Sequence, residues 1–218
     1  MLDNTKRLLG LFFLTIFLAG CGASKVSVKA DIPRPLISTL PLKTYVLYTD
    51  EFSNYQYTEK EKGRSLSSLT FGPAQRTLFE RIFSELVIVS PTAKDTGLDL
   101  IVEPEILDLQ YTSPKETKLN LFEVWLRYRV KITDAENNIL ADWVIKGYGK
   151  TPSATLKTTG TAFNAATNVA LRDVGAQLAI GFPKQPAIKT LLAQKAAQSN
   201  VQEEAIPVVT IANAVDQN

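Results

Sequence analysis

Hydrophobic and polar residues follow two rhythms along the chain, and the clearest is a period of two between Phe122 and Ile132. Phe122, Val124, Leu126, Tyr128, Val130 and Ile132 point one way, while Glu123, Trp125, Arg127, Arg129 and Lys131 point the other. That alternation describes a strand with one buried and one wet face. Turn-forming residues occupy Asp134 to Asn138, and Ile139 to Tyr148 returns as the hairpin partner. A helical period replaces the strand period after Gly72-Pro73, where Leu78, Phe79, Ile82, Phe83 and Leu86 share one face. Proline at the first helical position does no harm, because its missing N–H would have no partner there. A second helix is predicted over Thr161 to Ile180, with Phe163, Ala166, Val169, Ala170, Val174 and Leu178 on one side. Pro183 and Pro186 interrupt it before a short helix over Ala187 to Ala197.

Shorter signals complete the order. Lys43 to Thr49 reads as a first strand, and Val87 to Val89 as a helix end or a strand. Leu98 to Tyr111 reads as a further strand, whose Pro104 implies an edge position or a bulge. The order β-α-β-β-β-α predicts the α+β class: a two-layer sandwich, with a predominantly antiparallel sheet of about four strands and two amphipathic helices on one face. This places a single domain at residues 43–197, followed by a weakly patterned, mobile tail at 198–218 in which Val208 to Ile211 is a marginal strand. Residues 21–42, punctuated by Pro33, Pro35 and Pro41, read as a flexible tether reaching roughly 65 Å when extended.

The first twenty residues read as an address. Lys6 and Arg7 precede a 12-residue apolar run, Leu8 to Ala19, whereas a membrane-spanning helix needs about 20 such residues. The run ends in Leu18-Ala19-Gly20-Cys21, which resembles the bacterial lipobox. That resemblance implies cleavage between Gly20 and Cys21, a diacylglyceryl group on the Cys21 thiol, and acylation of the new amino terminus with fatty acids such as palmitate. Two or three acyl chains hold a protein durably on a membrane. Gly22 stands where an Asp would mark inner-membrane retention. The implied location is therefore the outer membrane, on its periplasmic side. With Met1 and the leader removed, Cys21 is the only sulfur, and no disulfide can form within the chain.

Composition narrows the chemistry. Twenty-four Lys and Arg against 22 Asp and Glu give a net charge of +2, without the concentrated positive footprint that nucleic acid requires. The absence of His excludes Ser-His-Asp and Cys-His triads. It also leaves no imidazole for a metal, and neither a metal site nor a cofactor is expected. Gly149-Lys150-Thr151 imitates the end of a P-loop, but Val144 replaces its opening Gly. Asp134, Glu136 and Asn138 imitate a calcium loop, but Ile139 and Ile145 occupy its Gly and closing Glu positions. Glu103, Glu105 and Asp108 cluster near Pro104 and are read as a solvated edge. No catalytic residue is assigned, and the expectation is a binding protein rather than an enzyme.

Two features point to binding. Trp125, on the polar face of its strand between Glu123 and Arg127 and near Arg129, has the composition of an interface hot spot, unless a helix or the tail covers it. Tyr45, Tyr48, Phe52, Tyr55 and Tyr57 lie within thirteen positions and either stack on a ligand or anchor their loop. Trp125, Arg127, Arg129, Tyr55 and Tyr57 form the candidate interaction surface. The lipobox, the Pro-containing tether and a helix on either side of an antiparallel hairpin together make the chain resemble small envelope lipoproteins. These are the YajG-like, ABC-transport auxiliary and LptE-like families, with Phe163-Asn164-Ala165-Ala166 through Ile188-Lys189-Thr190-Leu191-Leu192 most like the YajG type. The resemblance implies a lipid-anchored accessory or assembly subunit whose partners are the membrane and another envelope protein, or copies of itself. The alternative is a module that binds glycan, peptidoglycan or lipid.

Overall fold

A computed structural model of the chain describes residues 24–153 and 158–204. The leader, Gly20 and Cys21, and the Val208 to Ile211 segment lie outside the described residues. The core is a five-stranded sheet with helices on one face, which is the two-layer α+β arrangement expected. In chain order the elements are β1 Ser24–Ser27, β2 Leu40–Val46, α1 Asp50–Ser53, β3 Gln56–Thr58, β4 Leu66–Thr70, α2 Gly72–Leu86 and β5 Val87–Val89. There follow β6 Leu100–Thr112, α3 Pro114–Thr117, β7 Leu121–Thr133, β8 Ile139–Pro152, α4 Thr159–Gly181, a 3-10 turn and α5 Pro186–Glu204.

The large sheet runs β5-β2-β6-β7-β8, and its half around the hairpin is antiparallel as expected. Its other half is parallel: β2 lies between β5 and β6 in the same direction as both. The connection through α2 makes this possible, because a helical crossover returns the chain to the end from which it started. Pro104 is accommodated by a local edge, one of the two alternatives anticipated. β2 accompanies β6 only from Leu100 to Val102, so Pro104 has no neighbour on that side to which it would donate. Two residues later the register slips between Ile106 and Asp108, leaving Leu107 as a bulge. The slip reverses the parity of β6, so even-numbered residues fill the core before it, and Leu109 and Tyr111 fill it afterwards.

The largest side chains of the interior are aromatic. Phe79 meets Phe52 and Tyr128 edge-on, each with ring centroids 5.4 Å apart, and Phe83 meets Phe182 at 5.5 Å. Tyr128 is fully buried in the apolar row of β7, so its hydroxyl needs a partner. It donates to Gln75 Oε1 of α2 at 3.1 Å, while Gln75 Nε2 donates to the Phe52 carbonyl. The opposite helix, α4, is held by a capping box in which Thr158 and Thr161 exchange hydrogen bonds. It lies directly on β8 because that strand offers Gly147 and Gly149. A β-carbon on Gly147 would stand 2.6 Å from the Ala170 carbonyl oxygen, and one on Gly149 would overlap the Ala166 carbonyl oxygen.

Two expectations need correction. The segment after Ala23 is not a free tether. β1 pairs in parallel with β4, and β4 pairs with β3, forming a second three-stranded sheet over the end of the core. The strap beyond it lies along α4: Lys29 N–H donates to Asn164 Oδ1 at 2.8 Å, Asp31 N–H donates to Asn168 Oδ1 at 2.6 Å, and Arg172 pairs with Asp31. The prolines keep this strap extended without needing ladder partners. At the other end, α5 continues through residues 198–204, first assigned to a tail, with Ile188 buried and Lys195 Nζ 2.7 Å from an Asp99 oxygen.

Paired glycine substitutions test the helix–strand contact. Gly149→Ala should lower stability by about 1–3 kcal/mol or more, because neither backbone can yield freely. Gly160→Ala meets only ordinary contact distances at the start of α4, and should be neutral or stabilising by up to about 1 kcal/mol. Urea unfolding midpoints of the two variants give the comparison.

Candidate functional site

The face of the large sheet away from the helices is open, and the residues it displays are fixed by strand register. Gln110, Trp125 and Tyr148 lie side by side across β6, β7 and β8, and Asp108, Arg127 and Lys146 form the adjacent row. Trp125 and Tyr148 are each 38% exposed, their rings 5.5 Å apart and tilted by 37°. The alternative that a helix covers Trp125 is thus not realised among the described residues. These side chains line a shallow depression of about 380 Å³ together with Thr112, Leu126 and Gly147.

Hydrogen bonds hold the aromatic pair in place. Tyr148 Oη donates to Glu123 Oε1 at 2.6 Å, and Thr112 Oγ1 donates to Glu123 Oε2 at 3.1 Å. The bond to Glu123 raises the Tyr148 pKa above the ordinary phenol value, so the ring remains a neutral donor at physiological pH. Arg127 forms no ion pair among the described residues. The depression therefore combines two accessible aromatic rings with the cations Arg127 and Lys146 beside Asp108. It can receive a flat or apolar group with an anionic or hydrogen-bonding rim.

The remaining predicted residues divide. Arg129 belongs to the same face but is occupied, 3.2 Å from Glu105 and 3.4 Å from Asp142, while Lys131 lies 3.6 Å from Glu103. This cross-strand lattice also absorbs the Glu103 and Glu105 acids, and Asp108 Oδ2 accepts from Gln110. Tyr55 and Tyr57 are corrected: both are half-buried and pack inward. Tyr55 meets Phe71 at 6.3 Å, and Tyr57 meets Tyr111 at 5.9 Å, both edge-on. A short strand between two turns needs such anchors, because it has little ladder of its own. Cys21 and Gly20 lie outside the described residues.

A second depression, of about 440 Å³, was not anticipated. It lies between α2 and the β2–β5 edge, lined by Tyr45, Tyr48, Arg76, Glu80 and Val89 among others. The Arg76 guanidinium sits 5.1 Å from the Tyr48 ring centre and 2.7 Å from Glu80. Burial, and then the Glu80 charge, push the Tyr48 pKa well up. The aromatic cluster at 45–57 was the available signal, although the helix that completes the depression lies far away in sequence.

No family model matches the chain, and no curated protein matches it in sequence. Similar solved structures include the hypothetical protein CT253 of Chlamydia trachomatis, at 10% identity and a TM-score of 0.43, covering 66% of this chain and 97% of that one. Another is a minor lipoprotein of Acinetobacter baumannii, at 11% identity and a TM-score of 0.39, covering 65% and 90%. A candidate lipoprotein of Caulobacter crescentus is 12% identical, with a TM-score of 0.40 and coverages of 57% and 84%. Bacterial lipoproteins thus stand among the neighbours, without a match to the families named above. Identities this low leave function to be argued from the residues.

Acid titration tests the polar clamp beside the small sheet. The Glu59 side chain is 7% exposed, and burial alone would raise its pKa. The Glu61 N–H, Arg64 and Tyr57 all donate to it and hold it at about 2, below the ordinary 4.5. Glu116, half-buried and bonded by Ser113 and Ser65, is likewise lowered. A depressed folded-state pKa stabilises above the unfolded value, and that contribution disappears as protons return. Stability should therefore fall between about pH 4.5 and 2. Glu59→Gln should flatten part of that slope while lowering stability at neutral pH. An unchanged slope in denaturant titrations would contradict this account.

Proposed function

We propose that the chain is a lipid-anchored accessory subunit of a bacterial envelope complex, held on the periplasmic face of the outer membrane through Cys21. It acts by binding another envelope protein through the open sheet face, not by catalysis. The observation that carries this reading is the exposed Trp125–Tyr148 pair beside Arg127 and Lys146, in a chain whose start resembles a lipoprotein leader. An accessible aromatic pair with an adjacent arginine is the composition that concentrates binding energy at protein interfaces. No helix among the described residues is long and apolar enough to cross a membrane.

Photo-crosslinking in cells from position 127 is expected to capture one specific envelope protein. Trp125→Ala should abolish capture, while stability changes by less than about 1 kcal/mol, because the side chain is not part of the core. Palmitate incorporation that disappears in Cys21→Ser tests the anchor. If titration of the purified protein with peptidoglycan fragments or glycans instead gives a saturable change in Trp fluorescence, and crosslinking yields no partner, the sheet face is a ligand site.

A further inference from the structure

We propose that the end of the domain formed by the start of β1 and the β6–β7 turn rests on the bilayer. Leu119 enters the boundary between headgroups and acyl chains, and Lys115 and Lys118 face anionic phospholipid headgroups. The inference rests on the reading of Cys21 as lipid-modified.

Chain geometry supplies the first constraint. Only Gly22 and Ala23 separate Cys21 from Ser24, the first residue of β1. Three peptide steps reach about 10 Å at most. An acylated Cys21 therefore keeps the beginning of β1 close to the membrane, and whatever surrounds Ser24 is held there with it.

The surroundings are defined by hydrogen bonds. Ser24 pairs with Leu66, whose N–H donates to the Tyr111 hydroxyl at 3.3 Å. The adjoining Ser65 places its Oγ 2.6 Å from Ser113 Oγ and donates its N–H to Glu116 Oε1 at 3.1 Å. The start of β1 thus adjoins the turn between β6 and β7, in which α3 is stiffened by a Ser113–Glu116 capping box. Lys118 then adopts a left-handed conformation, with φ of 58°, and Leu119 follows at the tip. Leu119 is 54% exposed and joins no part of the core.

Charge distribution supplies the second constraint. Arg64 ties the β3–β4 loop to the same end by donating to the Tyr111 carbonyl at 2.9 Å. That loop adds exposed Lys60 and Lys62, with Glu61 between them. The other local acids are engaged internally, Glu59 by Arg64 and Glu116 by Ser65 and Ser113. Lys60, Lys62, Lys115 and Lys118 therefore outnumber the exposed acid at this end, and an anionic lipid surface is the complementary partner. One leucine and a few lysines bind weakly alone, but the anchor makes the encounter intramolecular.

The test uses the full-length lipidated protein in vesicles of phosphatidylethanolamine and phosphatidylglycerol containing spin-labelled lipids. A modified Cys21 presents no thiol and the chain has no other cysteine, so Leu119→Cys and Ile139→Cys each accept one environment-sensitive fluorophore. Ile139 is exposed at the far end of the β7–β8 hairpin, about 40 Å from the β6–β7 turn along β7. A blue shift and several-fold stronger lipid quenching at 119 than at 139, reduced by Lys115→Glu with Lys118→Glu, would support the proposal. A vesicle-bound, lipidated protein with equal, water-like signals at both positions would overturn docking while sparing the anchor. Quenching unaffected by the lysine substitutions would overturn the headgroup contacts. Fluorophore reacting at Cys21 itself would overturn both.

Discussion

The structure depends on the contact between α4 and β8, where helix backbone meets strand backbone with almost no side chain between them. Gly147 and Gly149 on the strand and Ala166 and Ala170 on the helix produce this approach. It brings the helix close enough for Phe163, Val174 and Leu178 to reach the interior, where Phe79 and Tyr128 already meet. An aromatic-rich core tolerates little misplacement, because packing at near-crystalline density leaves no slack for a shifted helix. The Gln75–Tyr128 hydrogen bond then fixes α2 against the same strand pair.

Packing α2 and α4 on one side leaves Trp125 and its neighbours on the opposite face without a helical covering among the described residues. Part of that face is neutralised by cross-strand charge pairing around Arg129 and Lys131. The exception lies beyond the β6 bulge, where register places Trp125 beside Tyr148 and Arg127 forms no ion pair among the described residues. One face of the sheet therefore has two parts, one in which the charges are paired across strands and one in which two aromatic rings and two cations stay accessible.

The strictly periodic elements were legible in the sequence. The 122–148 hairpin, the helix after Pro73 and the helix ending near Ile180 all appear where hydrophobic spacing puts them. The parallel half of the sheet was not legible, since it depends on pairing between segments separated by a helix. The small sheet escaped for a similar reason: Lys25-Val26-Ser27-Val28 alternates, but its partner lies some forty residues away and the prolines that follow resemble a linker. Trp125 was recognised on composition, whereas its neighbour was not. Register counted from Thr133 opposite Ile139 would place Gly147 beside it, and a slip next to Ile132 moves Tyr148 there instead.

The outer edge of β8 carries a quieter consequence. Asp173 accepts the Tyr148 N–H and Gln177 donates to the Lys146 carbonyl, so two side chains of α4 occupy backbone groups that would otherwise be free for another strand. Fourteen residues of unguarded edge would be a template for runaway strand addition. With these stoppers in the middle of the edge, a second copy finds no continuous run of free backbone groups to extend.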